Sequence, residues 1–106
     1  MIEVNHIYID DTIRGFEISG HANFDEYGYD IVCAAVSMLA YTTINSLDNY
    51  GYELDFSDDE DIMKLMVLNP SYESEIILNT FNIGIFTLEQ SYKDFVRAYS
   101  TTNEET

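Results

Sequence analysis

The sequence predicts an α+β fold, a two-layer sandwich with the element order β-β-α-β-β-α. Segments of alternating apolar and polar residues occur in two pairs, and a short polar turn joins the members of each pair. After each pair the apolar spacing changes to that of a helix. Two adjacent hairpins form an antiparallel four-stranded sheet, and we expect both helices to cover one face of it. The length of 106 residues fits a single domain.

The first hairpin is predicted over residues 2–9 and 13–19, with a turn at Asp10-Asp11-Thr12. Gly20 ends the second strand, and residues 21–29 have no periodicity, which is typical of a loop. The first strand carries apolar residues on both of its sides. The uncovered face of the sheet is therefore either wet or buried in a homodimer, and we expect the homodimer.

The first helix is predicted to begin after Asp30, a natural N-cap, and to end near Asn49. Alternation over residues 52–56 and 61–68 predicts the second hairpin. Pro70 breaks the last strand, and the helix that follows runs from a cap at Ser71 to about residue 96. The polar residues 100–106 are expected to form a frayed tail, which leaves residues 1–99 as the domain.

The charge of the chain restricts its partners. Twenty acidic and four basic residues give a formal net charge of -16. Nucleic-acid binding relies on Lys and Arg, so this balance argues against direct contact with DNA or RNA. An acidic surface attracts basic partners, or it serves only to keep the protein in solution.

The location of the protein follows from its cysteine count and its apolar patterning. The one cysteine permits no disulfide within the chain. The first residues do not have the pattern of a signal peptide, and we expect no apolar stretch of membrane-spanning length, so no membrane contact is expected. We therefore expect a cytoplasmic protein with a reduced thiol.

One short region has the residue types that nucleophilic catalysis requires. With Asp30 as the N-cap, Cys33 becomes the third helical residue, where the helix dipole lowers a thiol pKa. His21 lies twelve residues earlier, and the intervening loop can bring its imidazole to the sulfur. Backbone N–H groups at the helix start can hold an oxyanion. Ser37, one helical turn after Cys33, can hydrogen-bond either group.

Each of these residues also has a purely structural interpretation. A lone Cys on a helix is usually a small buried hydrophobe. A lone His after a strand is usually structural, and Ser37 can bond to its own helical turn. Asp30 either caps the helix or orients His21. Spacing alone leaves proteolysis as one possibility among several.

Metal and cofactor sites are not expected. The acidic run Asp58-Asp59-Glu60-Asp61 lacks the spacing and the glycine of a calcium-binding EF-hand loop. His6, His21 and Cys33 come from separate elements and lack the spacing of zinc ligands, and His6 has a structural interpretation.

The region resembles the bacterial ribosomal-processing cysteine proteases known as Prp. Gly20-His21-Ala22 matches the first part of the family signature, Gly28 matches its loop glycine, and residues 30–37 match its second part without a gap. The resemblance implies that His21 and Cys33 form a catalytic dyad and that Asp30 and Ser37 hold accessory positions. It extends more loosely over nearly the whole chain.

The resemblance also implies a substrate. The family removes a hydrophobic N-terminal extension from large-subunit ribosomal protein twenty-seven, so the implied partner is that precursor. The implied mobile loop has Gly20 and Gly28 as hinges, and Phe24, Tyr27 and Tyr29 either close over the substrate or pack the loop. Two other functions remain: a non-catalytic acidic assembly factor that binds a basic ribosomal protein, and a thiol acyl-transfer or redox enzyme that uses Cys33.

Overall fold

The computed structural model describes residues 1–20, 29–59 and 61–104, with Tyr29 described by its backbone alone. These residues form two helices and five strands in the order β-β-α-β-β-α-β, which confirms the α+β class. The elements are β1 (Ile2–Ile9), β2 (Thr12–Ser19), α1 (Tyr29–Asn49), β3 (Leu54–Asp58), β4 (Ile62–Val67), α2 (Tyr72–Ser91) and β5 (Val96–Asn103).

The strands form one sheet in the order β3-β4-β2-β1-β5. The neighbours from β3 to β1 are antiparallel, as the two predicted hairpins require. The fifth strand is the difference from the prediction, because β5 lies parallel to β1, with Ile2 opposite Val96 and Ile9 opposite Asn103. β1 is therefore an interior strand and not an edge.

The strand β5 corrects two boundaries predicted from the sequence. The helix α2 ends at Ser91, and a turn in which Phe95 N–H donates to the Tyr92 carbonyl leads into β5. Residues 100–103 thus belong to the sheet and are not a tail. The polar sequence concealed this strand because it lies at the sheet edge, where only Val96 of its eight residues is fully buried.

One face of the sheet and both helices enclose a single core. Paired residues of neighbouring strands point inward together, as with Val4 opposite Ile18 and Phe16 opposite Leu65. Helices α1 and α2 bury their apolar sides in the same cluster, which confirms that both lie on one face. The fully buried side chains include Ile2, Val4, Phe16, Ile18, Val32, Val36, Leu47, Leu65, Leu78, Phe81 and Ile85.

Helix α1 is more apolar than expected. Its segment from Asp30 to Asn49 is long and apolar enough to cross a membrane by length and composition, so the expectation that no stretch approaches this length is wrong. The core helix of a globular protein passes the same test. Helix α1 is such a core helix here, because Val32, Val36 and Ala40 are buried against the sheet.

Candidate functional site

The start of α1 positions the candidate nucleophile. The helix begins at Tyr29, one residue before the expected cap, so Asp30 lies within the first turn and not ahead of it. Cys33 is consequently the fifth helical residue and not the third. The position remains close to the helix N-terminus, where the dipole favours negative charge.

Cys33 is part of the hydrophobic core. Only 6% of the residue is exposed, and it belongs to the same apolar cluster as Val32 and Val36. The sulfur therefore lies where α1 meets the sheet, at the boundary between core and surface. This environment partly supports the structural interpretation that a helical cysteine is a small buried hydrophobe.

The environment of the thiol keeps it protonated. Burial raises the pKa of Cys33 above its usual range, and the carboxylate of Asp30 raises it further. Asp30 is exposed and lies three residues earlier, on the same side of the helix. The sequence predicted a lowered pKa from the helix dipole, and this expectation is wrong for the described residues, because desolvation and a neighbouring anion both disfavour thiolate.

Ser37 lies on the same face of α1 as Cys33. Ser37 is half-buried one helical turn after Cys33, so α1 places the two side chains on one face, as the spacing predicts.

Gly20 ends β2 with a φ of 81°, in the left-handed region. A Cβ on Gly20 would lie 2.2 Å from the Met1 carbonyl oxygen. Glycine is therefore required at this position by both conformation and space.

Part of the predicted site lies outside the described residues. His21, Phe24, Tyr27 and Gly28 fall there, and of Tyr29 only the backbone is described, as the first residue of α1. The pairing of His21 with Cys33 and the substrate-closing loop therefore stay predictions.

Two features could not be predicted from the sequence, namely how deeply His6 is buried and a groove at the surface. His6 is 3% exposed, and neither of its ring nitrogens has a hydrogen-bond partner within residues 1–20, 29–59 and 61–104. Burial lowers the pKa of His6 to about 4, against the opposing charge of Glu89. His6 is thus a neutral core residue that contacts the edge of Phe81, in agreement with its structural interpretation. Alternation did place it in β1, but only the packing of α2 shows how deeply it is buried.

The second feature is a groove between the C-terminal half of α1 and the N-terminal half of α2. It has a volume of about 410 Å³ where Tyr50 and Tyr52 face Ile76 and Ile77, and Glu73 lies at its rim. Cys33 does not line it. In the part of the chain that the structure describes, no three His, Cys, Asp or Glu side chains are grouped closely enough to hold a metal ion.

Comparisons with known proteins agree with this architecture. The ribosomal processing cysteine protease Prp of Bacillus subtilis is 32% identical over an alignment of 102 residues, and the match covers 89% of this chain and 89% of that protein. The crystal structure of SMU.848 from Streptococcus mutans covers 97% of this chain and 96% of its own at 28% identity and a TM-score of 0.80. An essential ribosomal processing protease Prp from S. aureus, in complex with a covalently linked product peptide, covers 95% of this chain and all of its own, at 25% identity and a TM-score of 0.84.

The family model for the cysteine protease Prp matches residues 1–97, from the first strand into the last. That range contains Cys33, Ser37 and every residue of α1. The chain belongs to the cysteine protease Prp family.

Proposed function

We propose that the protein is a cysteine endopeptidase that removes the N-terminal extension of a large-subunit ribosomal protein, protein twenty-seven, during ribosome maturation. The observation that carries the proposal is the position of Cys33, the one cysteine of the chain, in the second turn of α1 within the family match. A relative bound to a covalently linked product peptide supports a covalent mechanism.

The mechanism uses His21 and Cys33 as a dyad. The surroundings of Cys33 favour the protonated thiol, so His21 acts as a general base that takes the proton as the sulfur attacks the scissile carbonyl. N–H groups of the first turn of α1 stabilise the oxyanion. His21 then protonates the leaving amine, and water hydrolyses the thioester, which regenerates the thiol.

The remaining predicted residues assist this chemistry. Ser37 lies one turn from the sulfur and orients either the sulfur or the imidazole. Phe24, Tyr27 and Tyr29 cover the hydrophobic extension of the substrate, with Gly20 and Gly28 as the hinges of the covering loop. Asp30 either orients His21 or tunes the charge at the helix start. No cofactor takes part in these steps, and we place the reaction in the cytoplasm.

The protein works as a homodimer in this proposal. The sheet face that the helices do not cover carries partly exposed apolar side chains, with Ile62 41%, Leu68 58% and Tyr99 42% exposed. A second copy would bury these side chains. Sedimentation at micromolar concentration should show the dimer, and a monomer alone would contradict this part of the proposal.

The activity is tested by incubating the extended ribosomal protein with the enzyme and measuring intact mass. We expect loss of the extension with the wild type and no cleavage with Cys33→Ala or His21→Ala. His6→Leu is the matched control, because it removes the chain's other histidine and should retain cleavage. Failure of the wild type to cleave would overturn the proposal, and retained binding without cleavage would indicate a non-catalytic assembly factor.

A further inference from the structure

The groove between α1 and α2 is a formed surface feature at the opposite end of α1 from Cys33. It consists of two adjoining pockets that share Tyr50, Ile76 and Ile77. Tyr52 and Glu73 complete the lining of one pocket. The hydroxyl-bearing side chains Thr42, Thr43, Ser46 and Thr80 complete the lining of the other. Ile76 is 49% exposed and Tyr50 is 71% exposed. A groove with an apolar floor and an exposed aromatic ring is suited to apolar side chains and to cations that stack on the ring.

The charges of the two helices have one sign. Helices α1 and α2 contain acidic residues and no Lys or Arg. The basic residues lie elsewhere, at Arg14, Lys64, Lys93 and Arg97. Two of them face acids across the sheet, where Lys64 pairs with Glu17 and Arg97 pairs with Glu3 in register. The helical face therefore keeps an uncompensated negative charge, while the sheet face balances part of its own.

The carboxylate of Glu73, which lines the groove, accepts a hydrogen bond from the start of α2. The hydroxyl of Ser71, the N-cap of α2, donates to Oε2 of Glu73 at 3.1 Å. Because Ser71 uses its own proton there, the hydroxyl of Tyr52 donates to Ser71 Oγ. The exposed side chain of Glu73 is thereby oriented beside Tyr50 and Tyr52 in the groove.

The C-terminus of α1 adds a second negative field, beside Tyr50. Its last turn carries no basic residue, although the partial negative charge of a helix C-terminus favours a cation. A Lys or Arg from another molecule would relieve this field and could stack on Tyr50.

We propose that the groove between α1 and α2 is an exosite for a basic polypeptide segment, whose apolar side chains rest on Ile76 and Ile77 and whose Lys or Arg side chains meet Glu73 and the C-terminus of α1 at Tyr50. This inference rests on the proposed function, since the segment is the part of the precursor that follows the cleavage sequence. Charge complementarity and the apolar floor select this occupant. The exosite raises the rate of encounter and holds the substrate while the scissile bond reaches Cys33.

The test compares two substrates of the same enzyme, the full-length precursor and a short peptide that contains only the cleavage sequence. Glu73→Gln removes the carboxylate of the groove with little change of shape. We expect kcat/KM for the full precursor to fall about threefold at low salt, with a smaller deficit at high salt, and kcat/KM for the short peptide to stay unchanged. The control Asp11→Asn removes an exposed acid elsewhere and should leave both substrates unaffected.

A second variant pair tests the apolar floor. Ile76→Ser should lower kcat/KM for the precursor and spare the short peptide, whereas Ile83→Ser, on the same helix but outside the groove and 66% exposed, should affect neither. Equal loss on both substrates, or no loss on the precursor, would overturn the exosite. Conversion of a dimer to a monomer by Ile76→Ser would overturn it too, since the groove would then join two copies. A wild type that cleaves neither substrate would refute the proposed function, and the exosite with it.

Discussion

At the scale of single residues, the thiol of Cys33 rests in surroundings that oppose its ionisation. The core around it and the nearby Asp30 carboxylate both raise its pKa. A thiol of this kind is protected from unwanted oxidation and gains nucleophilicity only when a base removes its proton. In the proposed mechanism, this favours a thiol that His21 deprotonates during the attack over a resting ion pair of thiolate and imidazolium.

Asp30→Asn tests this electrostatic account. Removing the carboxylate should lower the pKa of the Cys33 thiol and shift the pH dependence of its alkylation to lower pH. Alkylation by iodoacetamide, followed by intact mass, reports on Cys33 alone because the chain has no other cysteine. Asp48→Asn, at the other end of α1, is the control and should leave the profile in place. An unchanged profile for Asp30→Asn would contradict the account.

His6 makes stability depend on pH. Its pKa falls from 6.5 to about 4 on folding, so the unfolded chain binds the proton more tightly. The contribution of neutral His6 to the free energy of unfolding is fully present above pH 6.5. It is lost as the pH falls towards about 4, by up to about 3 kcal/mol. As the pH is lowered from 6.5 to about 4, the unfolding temperature should decline less for His6→Leu than for the wild type. Equal declines would show that carboxyl groups alone cause the acid sensitivity.

Substitutions at Gly20 and Gly51 distinguish two costs of adding a side chain, namely conformational strain and steric overlap. Both have positive φ, 81° and 87°, but only Gly20 approaches other backbone, at the Met1 carbonyl. Gly51→Ala should cost about 1 kcal/mol from conformational strain, and Gly20→Ala should cost more because strain and steric overlap add. Urea denaturation measures both, and equal costs would show that the contact with Met1 relaxes freely.

At the scale of elements, β5 stabilises β1 by pairing with it along its whole length. Truncation tests this role by comparing chains that end at Asn103 and at Tyr99. The shorter chain loses the bond from Asp10 N–H to the Asn103 carbonyl and the pairing of residues 100–103 with β1. We expect it to be less stable by roughly 2 kcal/mol in urea denaturation. Equal stability of the two chains would mean that residues 100–103 behave as a tail after all.

The elements differ in how far the sequence reveals them. Strands β1 and β2 are readable because one side of each is buried, so that Val4 and Ile18 alternate with polar residues. The capping box in which Ser71 and Ser74 bond reciprocally confirms the start of α2 at the expected place. The strand β5 could not be predicted, because polar residues are typical both of an edge strand and of a frayed tail.

The candidate site was predictable to a similar extent. Helix α1 and the placement of Cys33 and Ser37 on one of its faces follow from periodicity. The raised pKa of Cys33 does not, since it depends on what the sheet brings against the helix. The groove at Tyr50 and Ile76 was missed for the same reason, because it arises from the contact between two helices that are distant in sequence.

At the scale of the whole molecule, the charge of -16 is distributed unevenly, with no cation on either helix. Self-repulsion of this kind destabilises the compact state and is screened by salt. The unfolding temperature should therefore rise as sodium chloride increases from low to physiological concentration. A variant that carries both Asp48→Asn and Glu73→Gln should show a weaker rise, and a fall for the wild type would contradict this account.

The parallel pairing of β1 with β5 has a consequence for folding kinetics. Ile2 pairs with Val96 and Ile9 with Asn103, so β1 keeps an open edge until a strand from far along the chain reaches it. Such distant pairing slows folding, because the loop between the paired residues must close before their contacts stabilise the chain. The sheet that packs against Cys33 is therefore completed late in folding, and until then the edge of β1 can pair with a strand of another molecule.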